Sequence, residues 1–281
     1  VGGAALESTD GGIAADRLAG RFRFDYRKTT ALGLLALDGM LHGGEFLAGN
    51  NYLALPETPV SLSLEGRQRT GQGWELPRIA WRDGDVLVGD GSVAFAPDAS
   101  LRALDLRLRS TDMAPLRDRY LSGWLGVFGL GDIALSGASD LYLAIRDGRL
   151  HSVDANLHGV DLREPDDRFG FRGLDGDVRY SAGVPVASEL RWRSGRIYDL
   201  DFGAATLPFS SHDGALTFRE PVVVPAMGGS LTFEKMTLRP PAGDAGMDIR
   251  FALALDGIDF GLVSKALGLP AFQGILGGRI P

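Results

Sequence analysis

The chain has 281 residues, a formal net charge of −7 and a sequence pI near 5.1. The acidic balance argues against a nucleic-acid partner, which would require a basic patch, and the absence of Cys excludes disulfide scaffolds, thiolate zinc sites and cysteine nucleophiles. Hydrophobic residues make up 44% of the chain and 40 residues are Gly, about twice the usual ~7%. This composition predicts a folded protein of many short strands joined by tight turns.

Apolar and polar residues alternate along the first half of the chain. Residues 21–27 place Phe22, Phe24 and Tyr26 on one side of a strand and charged residues on the other. The same alternation predicts strands with the apolar residues Leu62, Leu64, Leu104, Leu106, Leu108, Leu141, Leu143 and Ile145. Strands with one apolar and one polar side are typical of antiparallel sheets with one hydrated face.

One segment of the first half has a helical period instead. Leu116, Tyr120, Trp124 and Phe128 share one helical face, and Asp112 can cap the N-terminus, so a helix is predicted over 112–128. We expect its apolar face to cover part of the sheet. Plain packing is the simplest interpretation, and gating of an apolar groove is the alternative.

The alternation continues in the second half. It predicts strands whose apolar residues are Phe169, Phe171, Leu190, Trp192, Leu231, Phe233, Ile249, Phe251, Leu253 and Leu255. A short amphipathic helix is predicted over 259–267, ended by Gly268 and Pro270. Asp-Gly pairs predict hairpin turns at 83–84, 90–91, 147–148, 175–176 and 213–214.

An internal repeat connects the two halves. A shift of 147 residues places Leu104, Leu106, Leu108, Ser110 and Asp112 onto Phe251, Leu253, Leu255, Gly257 and Asp259, and each strand runs into a helix that begins at an Asp. We therefore expect one continuous β-rich repeat segment over 1–281, divisible into sub-units 1–137 and 138–281. The first residues contain neither an initiator Met nor a signal peptide, which predicts a piece of a longer protein whose membrane anchor lies outside it.

Motifs that carry chemistry are weak in this sequence. Two Gly-x-Gly-x-x-Ala stretches, 89–94 and 129–134, lack the strand-to-helix context of a dinucleotide site. The four His residues show no metal-ligand spacing, and no nucleophile elbow, Walker loop or zincin helix is present. We expect no enzyme activity, no metal site and no cofactor.

One-sided apolar strands fit two architectures. Two sheets could bury their apolar faces against each other in a closed β-sandwich. Alternatively, a single strongly curved sheet could keep its apolar face open as a groove for lipid chains. The pattern alone leaves both architectures open.

The C-terminal third carries a family resemblance. A strand ending in Asp259, a short helix ending in the sequence 267–270, and the glycine-rich element 274–281 resemble the AsmA-like superfamily of Gram-negative envelope proteins. The match is nearest to the YdbH type, with TamB and YhdP as relatives. Residues 213–221 and 228–234 are similar to strand pairs of this family. The resemblance is best over 190–281 and only architectural over 1–189.

The resemblance implies a mainly β, antiparallel meander that forms a curved, taco-like sheet with an apolar inner face and two short amphipathic helices. It further implies a periplasmic bridge, anchored in the inner membrane, that conducts phospholipids between the inner and outer membranes. The strand residues named above would line the groove and contact phospholipid acyl chains. Other envelope proteins are further expected partners. The alternative is a structural or assembly module with a closed sandwich core that binds a protein partner.

Overall fold

A computed structural model of the protein describes residues 3–8, 13–48, 51–127, 129–239, 248–270 and 272–280. The protein is mainly β, with antiparallel strands and two short helical regions in these ranges, which confirms the predicted fold class. The chain forms two compact units, Val1–His151 and Ser152–Pro281.

The first unit is an antiparallel meander. Its strands are β1 (Ala4–Glu7), β2 (Ile13–Lys28), β3 (Leu32–His42), β4 (Glu45–Ala48), β5 (Asn51–Ala54), β6 (Val60–Arg69), β7 (Trp74–Asp83), β8 (Leu87–Phe95), β9 (Leu101–Ser110) and β10 (Ala134–Arg146). The strands β2, β3, β6, β7, β8, β9 and β10 pair in that order. The start of β2 also pairs with β1 and β4, and β4 pairs with β5.

The first helical region lies between β9 and β10, where the sequence predicts it. It consists of α1 (Met113–Leu116), a π-helical turn (Arg117–Leu121) and α2 (Ser122–Val127). The carboxylate of Asp112 accepts a hydrogen bond from the backbone N–H of Ala114 at 3.1 Å, which makes it the predicted N-cap.

Strand β11 (Arg149–Arg163) begins in the first unit and ends in the second. The second unit continues with β12 (Phe169–Ser181), β13 (Val186–Trp192), β14 (Ser194–Ile197), β15 (Leu200–Phe202), β16 (Ala205–His212), β17 (Ala215–Phe218), β18 (Val222–Ala226), β19 (Gly229–Arg239), β20 (Asp248–Asp259), α3 (Phe260–Ala266) and β21 (Ile275–Ile280).

The sheet of the second unit divides into two branches. Strand β12 pairs with β13 along one part and with β14 along another. One branch runs from β13 through β16 and β17, the other from β14 through β15 and β18, and both pair with β19. Strands β20 and β21 follow β19. The branches separate at Arg193, the residue between β13 and β14.

Three of the predicted Asp-Gly turns connect strands. Residues 147–148 and 213–214 both have positive φ, from 49° to 69°, as in the primed turns of tight hairpins. Gly84, in the turn between β7 and β8, has a φ of 51°.

The turns predicted at 90–91 and 175–176 are wrong, since both pairs lie inside strands, β8 and β12. At these two positions glycine is required because there is no space for a side chain next to the neighbouring strand. A Cβ at Gly91 would lie 2.5 Å from the carbonyl oxygen of Asp105, and a Cβ at Gly176 would lie 2.1 Å from that of Glu189. These glycines allow the neighbouring strand to approach closely.

Candidate functional site

The predicted apolar residues of the first unit share one face of its sheet. Directly opposed residues of an antiparallel pair point to the same side. One cross-strand row, from β2 to β10, consists of Phe22, Gly39, Leu62, Trp81, Gly89, Leu108 and Leu141. The next row consists of Phe24, Leu37, Leu64, Ile79, Gly91, Leu106 and Leu143. The same side of the sheet continues with the opposed pair Tyr26 and Leu35, and with a third row of Leu76, Val93, Leu104 and Ile145. We call this side the first apolar face.

The first apolar face is only partly covered. Phe22, Phe24 and Tyr26 are 43%, 64% and 45% exposed, whereas the predicted residues on the other strands of this face are half-buried. Rings of this size are normally removed from water in a closed core. The edge of the face at β2 is therefore open to solvent.

The opposite side of the same sheet is charged. Ion pairs join neighbouring strands there, with N···O distances of 2.6 Å for Arg82–Asp90 and 2.6 Å for Arg146–Asp105. The hydrogen bond from Arg146, together with one from the Tyr142 hydroxyl, holds the pKa of Asp105 below its usual value. The two sides of the sheet thus differ sharply in polarity.

The helical region packs against one end of the first apolar face. Asp83 is 3% exposed, and its carboxylate accepts hydrogen bonds from the Arg119 guanidinium at 2.8 Å and from the Tyr120 hydroxyl at 2.9 Å. Trp81 Nε1 donates to the Tyr120 hydroxyl oxygen at 2.9 Å. Burial raises the pKa of Tyr120 far above its usual value. This cluster fixes the π-helical turn onto β7.

Two of the four predicted helix residues are found against the sheet. Leu116 is buried, and Tyr120 contacts Trp81 edge-to-face with ring centroids 6.3 Å apart. The side chain of Trp124 and the whole of Phe128 lie outside the described residues.

The second unit contains an apolar cavity where its two branches separate. Its volume is about 320 Å³. It is lined by Phe171, Trp192, Ile197, Leu200, Asp201, Phe202, Leu207, Phe218, Val222, Val224, Ala226, Met227, Leu231, Phe233 and Met236. Trp192, Val222 and Val224 form the buried cluster at its base. The rings of Phe171, Trp192 and Phe202 meet edge-to-face at centroid distances of 5.6 to 6.2 Å.

A polar atom inside this apolar wall is paired. The Nε1 of Trp192 donates a hydrogen bond to the carbonyl oxygen of Gly203 at 3.0 Å. The buried indole therefore has a partner that does not require water. The indole ring is left to pack against the other apolar side chains.

Four residues predicted from the sequence line the cavity: Phe171, Trp192, Leu231 and Phe233. Others lie beside it on the same side of the sheet, which we call the second apolar face. Leu253 is opposite Phe233, Leu255 is opposite Leu231, and Leu190 is opposite the cavity residue Leu207.

The remaining predicted residues of the second unit do not line the cavity themselves. Phe169, opposite Ile197, is half-buried. Ile249 is opposite Leu238, Phe251 is opposite Met236, and both Ile249 and Phe251 are exposed. The ring of Phe251 still lies 6.3 Å, centroid to centroid, from that of Phe233.

Several residues of the two faces do not follow from the alternation in sequence. In the cavity these are mainly Phe202, Leu207, Phe218, Val222 and Val224. Strand β18 alternates strictly between buried and exposed positions, but its sequence is apolar throughout and contains Pro225. The alternation of buried and exposed positions in β18 therefore cannot be read from its sequence.

Comparison with known proteins finds no matching family model, and no curated protein or solved structure with significant similarity.

Among the described residues, no group of His, Asp and Glu side chains is close enough together to hold a metal ion. None of the helices in the described ranges has the length and apolar character needed to cross a membrane.

Proposed function

We propose that this chain is a non-enzymatic periplasmic segment of an AsmA-like bridge that conducts phospholipids along an apolar β-groove between the inner and outer membranes. In this proposal the sheet curves like a taco around the acyl chains. Two lines of support are the family resemblance of residues 190–281 and the partial exposure of the apolar faces. The second is the observation that carries the proposal.

Exposure separates an open groove from a closed sandwich. In a sandwich, the inward side chains of both sheets interdigitate and are almost fully buried. Of the predicted strand residues, all of which the structure describes, only Trp192 is buried. Five are exposed and the others are half-buried. This pattern favours faces that remain accessible to an apolar ligand.

Transfer along such a face is energetically reasonable. Each methylene of an acyl chain that stays out of water avoids a cost of about 0.8 kcal/mol. A lipid can therefore move between a bilayer and a groove at little net cost if the apolar path is uninterrupted. The opposed rows of the first apolar face provide such a path across seven strands.

The cavity of the second unit supports the same ligand class. Engineered apolar cavities of about 150 Å³ stay dry and bind benzene. The cavity described here has about twice that volume and an almost wholly apolar lining. It therefore suits a segment of an acyl chain better than a polar metabolite.

The direct test is extraction of the purified protein with organic solvent, followed by mass spectrometry for phospholipid. We expect co-purified phospholipid, and we expect lipid-stripped protein to bind a fluorescent acyl probe saturably. A β-rich protein of similar size, purified from the same cells by the same protocol, is the control. Lipid-free protein that also fails to bind the probe would contradict the proposal and favour the structural module with a protein partner.

A further inference from the structure

The second half of β2 is an open edge of the first unit's sheet. Residues 21–28 pair with β3 on one side, and within the described residues no strand pairs with their other side. Every residue from Arg21 to Lys28 is exposed. Both sides of this strand, and its free edge, are thus accessible to a ligand.

The apolar side of this edge is a row of three exposed rings. Phe24 and Tyr26 are stacked with centroids 6.5 Å apart, and Tyr26 lies 6.4 Å from Trp74 on the first apolar face. Phe22 continues the row toward the helical region. Natural proteins usually protect edge strands from such exposure, because exposed apolar edges promote aggregation. The rings therefore suggest an apolar ligand at this edge.

The other side of the same edge is cationic. Arg21, Arg23 and Arg27 lie on this side together with one acid, Asp25. Asp25 is paired with Arg27 at 2.9 Å. Arg21 and Arg23 form no ion pair within the described structure, although Asp38 is the register partner of Arg23.

The local positive charge is distinctive because the chain as a whole carries −7. Charged side chains on an edge strand are a common protection against aggregation. That explanation accounts for the arginines but not for the three exposed rings behind them. Rings and unpaired guanidinium groups together match an amphiphile with an apolar tail and an anionic head.

We propose that this edge is a headgroup rim, at which Arg21 and Arg23 bind the phosphate of a phospholipid whose acyl chains lie across Phe22 and Phe24. Arginine presents a planar fork of donors that matches phosphate oxygens. Its long stem lets the guanidinium group reach around the edge of one strand. The inference rests on the proposed function, since it names the headgroup of the ligand bound by the first apolar face.

The test compares two fluorescent probes with identical acyl chains, phosphatidic acid and diacylglycerol, on three proteins. These are the parent chain, Arg21→Gln/Arg23→Gln, and the control Arg149→Gln/Arg191→Gln, which removes the same charge from two other exposed positions. We expect Arg21→Gln/Arg23→Gln to bind phosphatidic acid about 2- to 30-fold more weakly, the range for two exposed charged contacts. Diacylglycerol binding should be unchanged, and the control should resemble the parent.

Raising the salt concentration should weaken the preference of the parent for phosphatidic acid, because exposed charges are screened. Unchanged phosphatidic acid binding by Arg21→Gln/Arg23→Gln, or an equal loss in the control, would overturn the proposal. An equal loss of both probes would also overturn it, since the arginines would then support the fold. If the parent binds diacylglycerol but does not prefer phosphatidic acid, the rim is wrong and the proposed function stands. If it binds neither probe, the proposed function fails as well.

Discussion

Asp83 is the buried charge that connects the sheet of the first unit to its helical region. Its carboxylate has two donors, Arg119 and Tyr120, and both belong to the π-helical turn. A buried carboxylate without such partners would cost several kcal/mol. The position of the helical region over the end of the first apolar face therefore depends on this residue.

Replacing Asp83 with Asn should destabilise the protein by about 2–4 kcal/mol, because Arg119 would lose its charged partner in a largely buried place. Tyr120→Phe removes one hydrogen bond and should cost only about 1 kcal/mol. Urea unfolding followed by tryptophan fluorescence measures both changes. Equal unfolding midpoints for the two variants would show that the ion pair does not anchor the turn.

At the scale of the elements, the two repeat copies have the same local construction. In each copy, the strands before and after the helix are antiparallel neighbours: Leu106 is opposite Leu143, and Leu253 is opposite Ile280. The carboxylate of Asp259 accepts from the N–H groups of Gly261 and Leu262 at 2.7 and 3.3 Å. The sequence match between 104–112 and 251–259 thus corresponds to a strand–helix–strand unit.

Strict alternation explains which elements were predictable. Strands such as β2, β9 and β20 follow from their period of two, and both helices follow from an Asp cap and a 3.6-residue period. Strand β3 contains Leu34 and Leu35 side by side, so the side that faces the apolar rows cannot be read from its sequence. The cavity was not predictable, because it depends on the separation of two branches at Arg193, which no local pattern indicates.

Gly176 shows how a residue inside a strand sets the distance between strands. Gly176→Ala should be strongly destabilising, by about 3 kcal/mol or more, since its φ is 120° and the new Cβ would collide with the Glu189 carbonyl oxygen. The control is Gly183→Ala, where a Cβ would meet no atom within 4 Å. Thermal unfolding by circular dichroism compares the two. Similar melting temperatures would contradict the close approach of β12 and β13 at this point.

At the scale of the whole molecule, both units have the same division between an apolar and a charged side. In the second unit, Arg196–Asp201 and Arg279–Glu234 are ion pairs on residues that alternate with the apolar positions of β14 and β21. Such a division serves either a covered core or an apolar ligand. The partial exposure of both faces favours an apolar ligand, and it raises a direct question: does a charge placed on such a face prevent folding or only weaken ligand binding?

Leu253→Asp decides that question. Leu253 is half-buried between Phe233 and Ile280 on the second apolar face. In an open groove the new carboxylate can remain hydrated, so we expect a folded protein. The acyl probe should bind about tenfold more weakly, because two methylenes that lose apolar contact cost about 1.6 kcal/mol. Circular dichroism, urea unfolding and probe titration measure these outcomes.

Two variants bracket the expected behaviour of Leu253→Asp. Ala254→Asp places the same charge on the other side of β20, opposite Arg279, and should fold and bind the probe like the parent. Val222→Asp places it in the buried cluster at the base of the cavity, where an unpaired carboxylate costs several kcal/mol, and should unfold or aggregate. If Leu253→Asp behaves like Val222→Asp, the second apolar face is a closed core. If it behaves like Ala254→Asp in both folding and binding, acyl chains do not travel along this face.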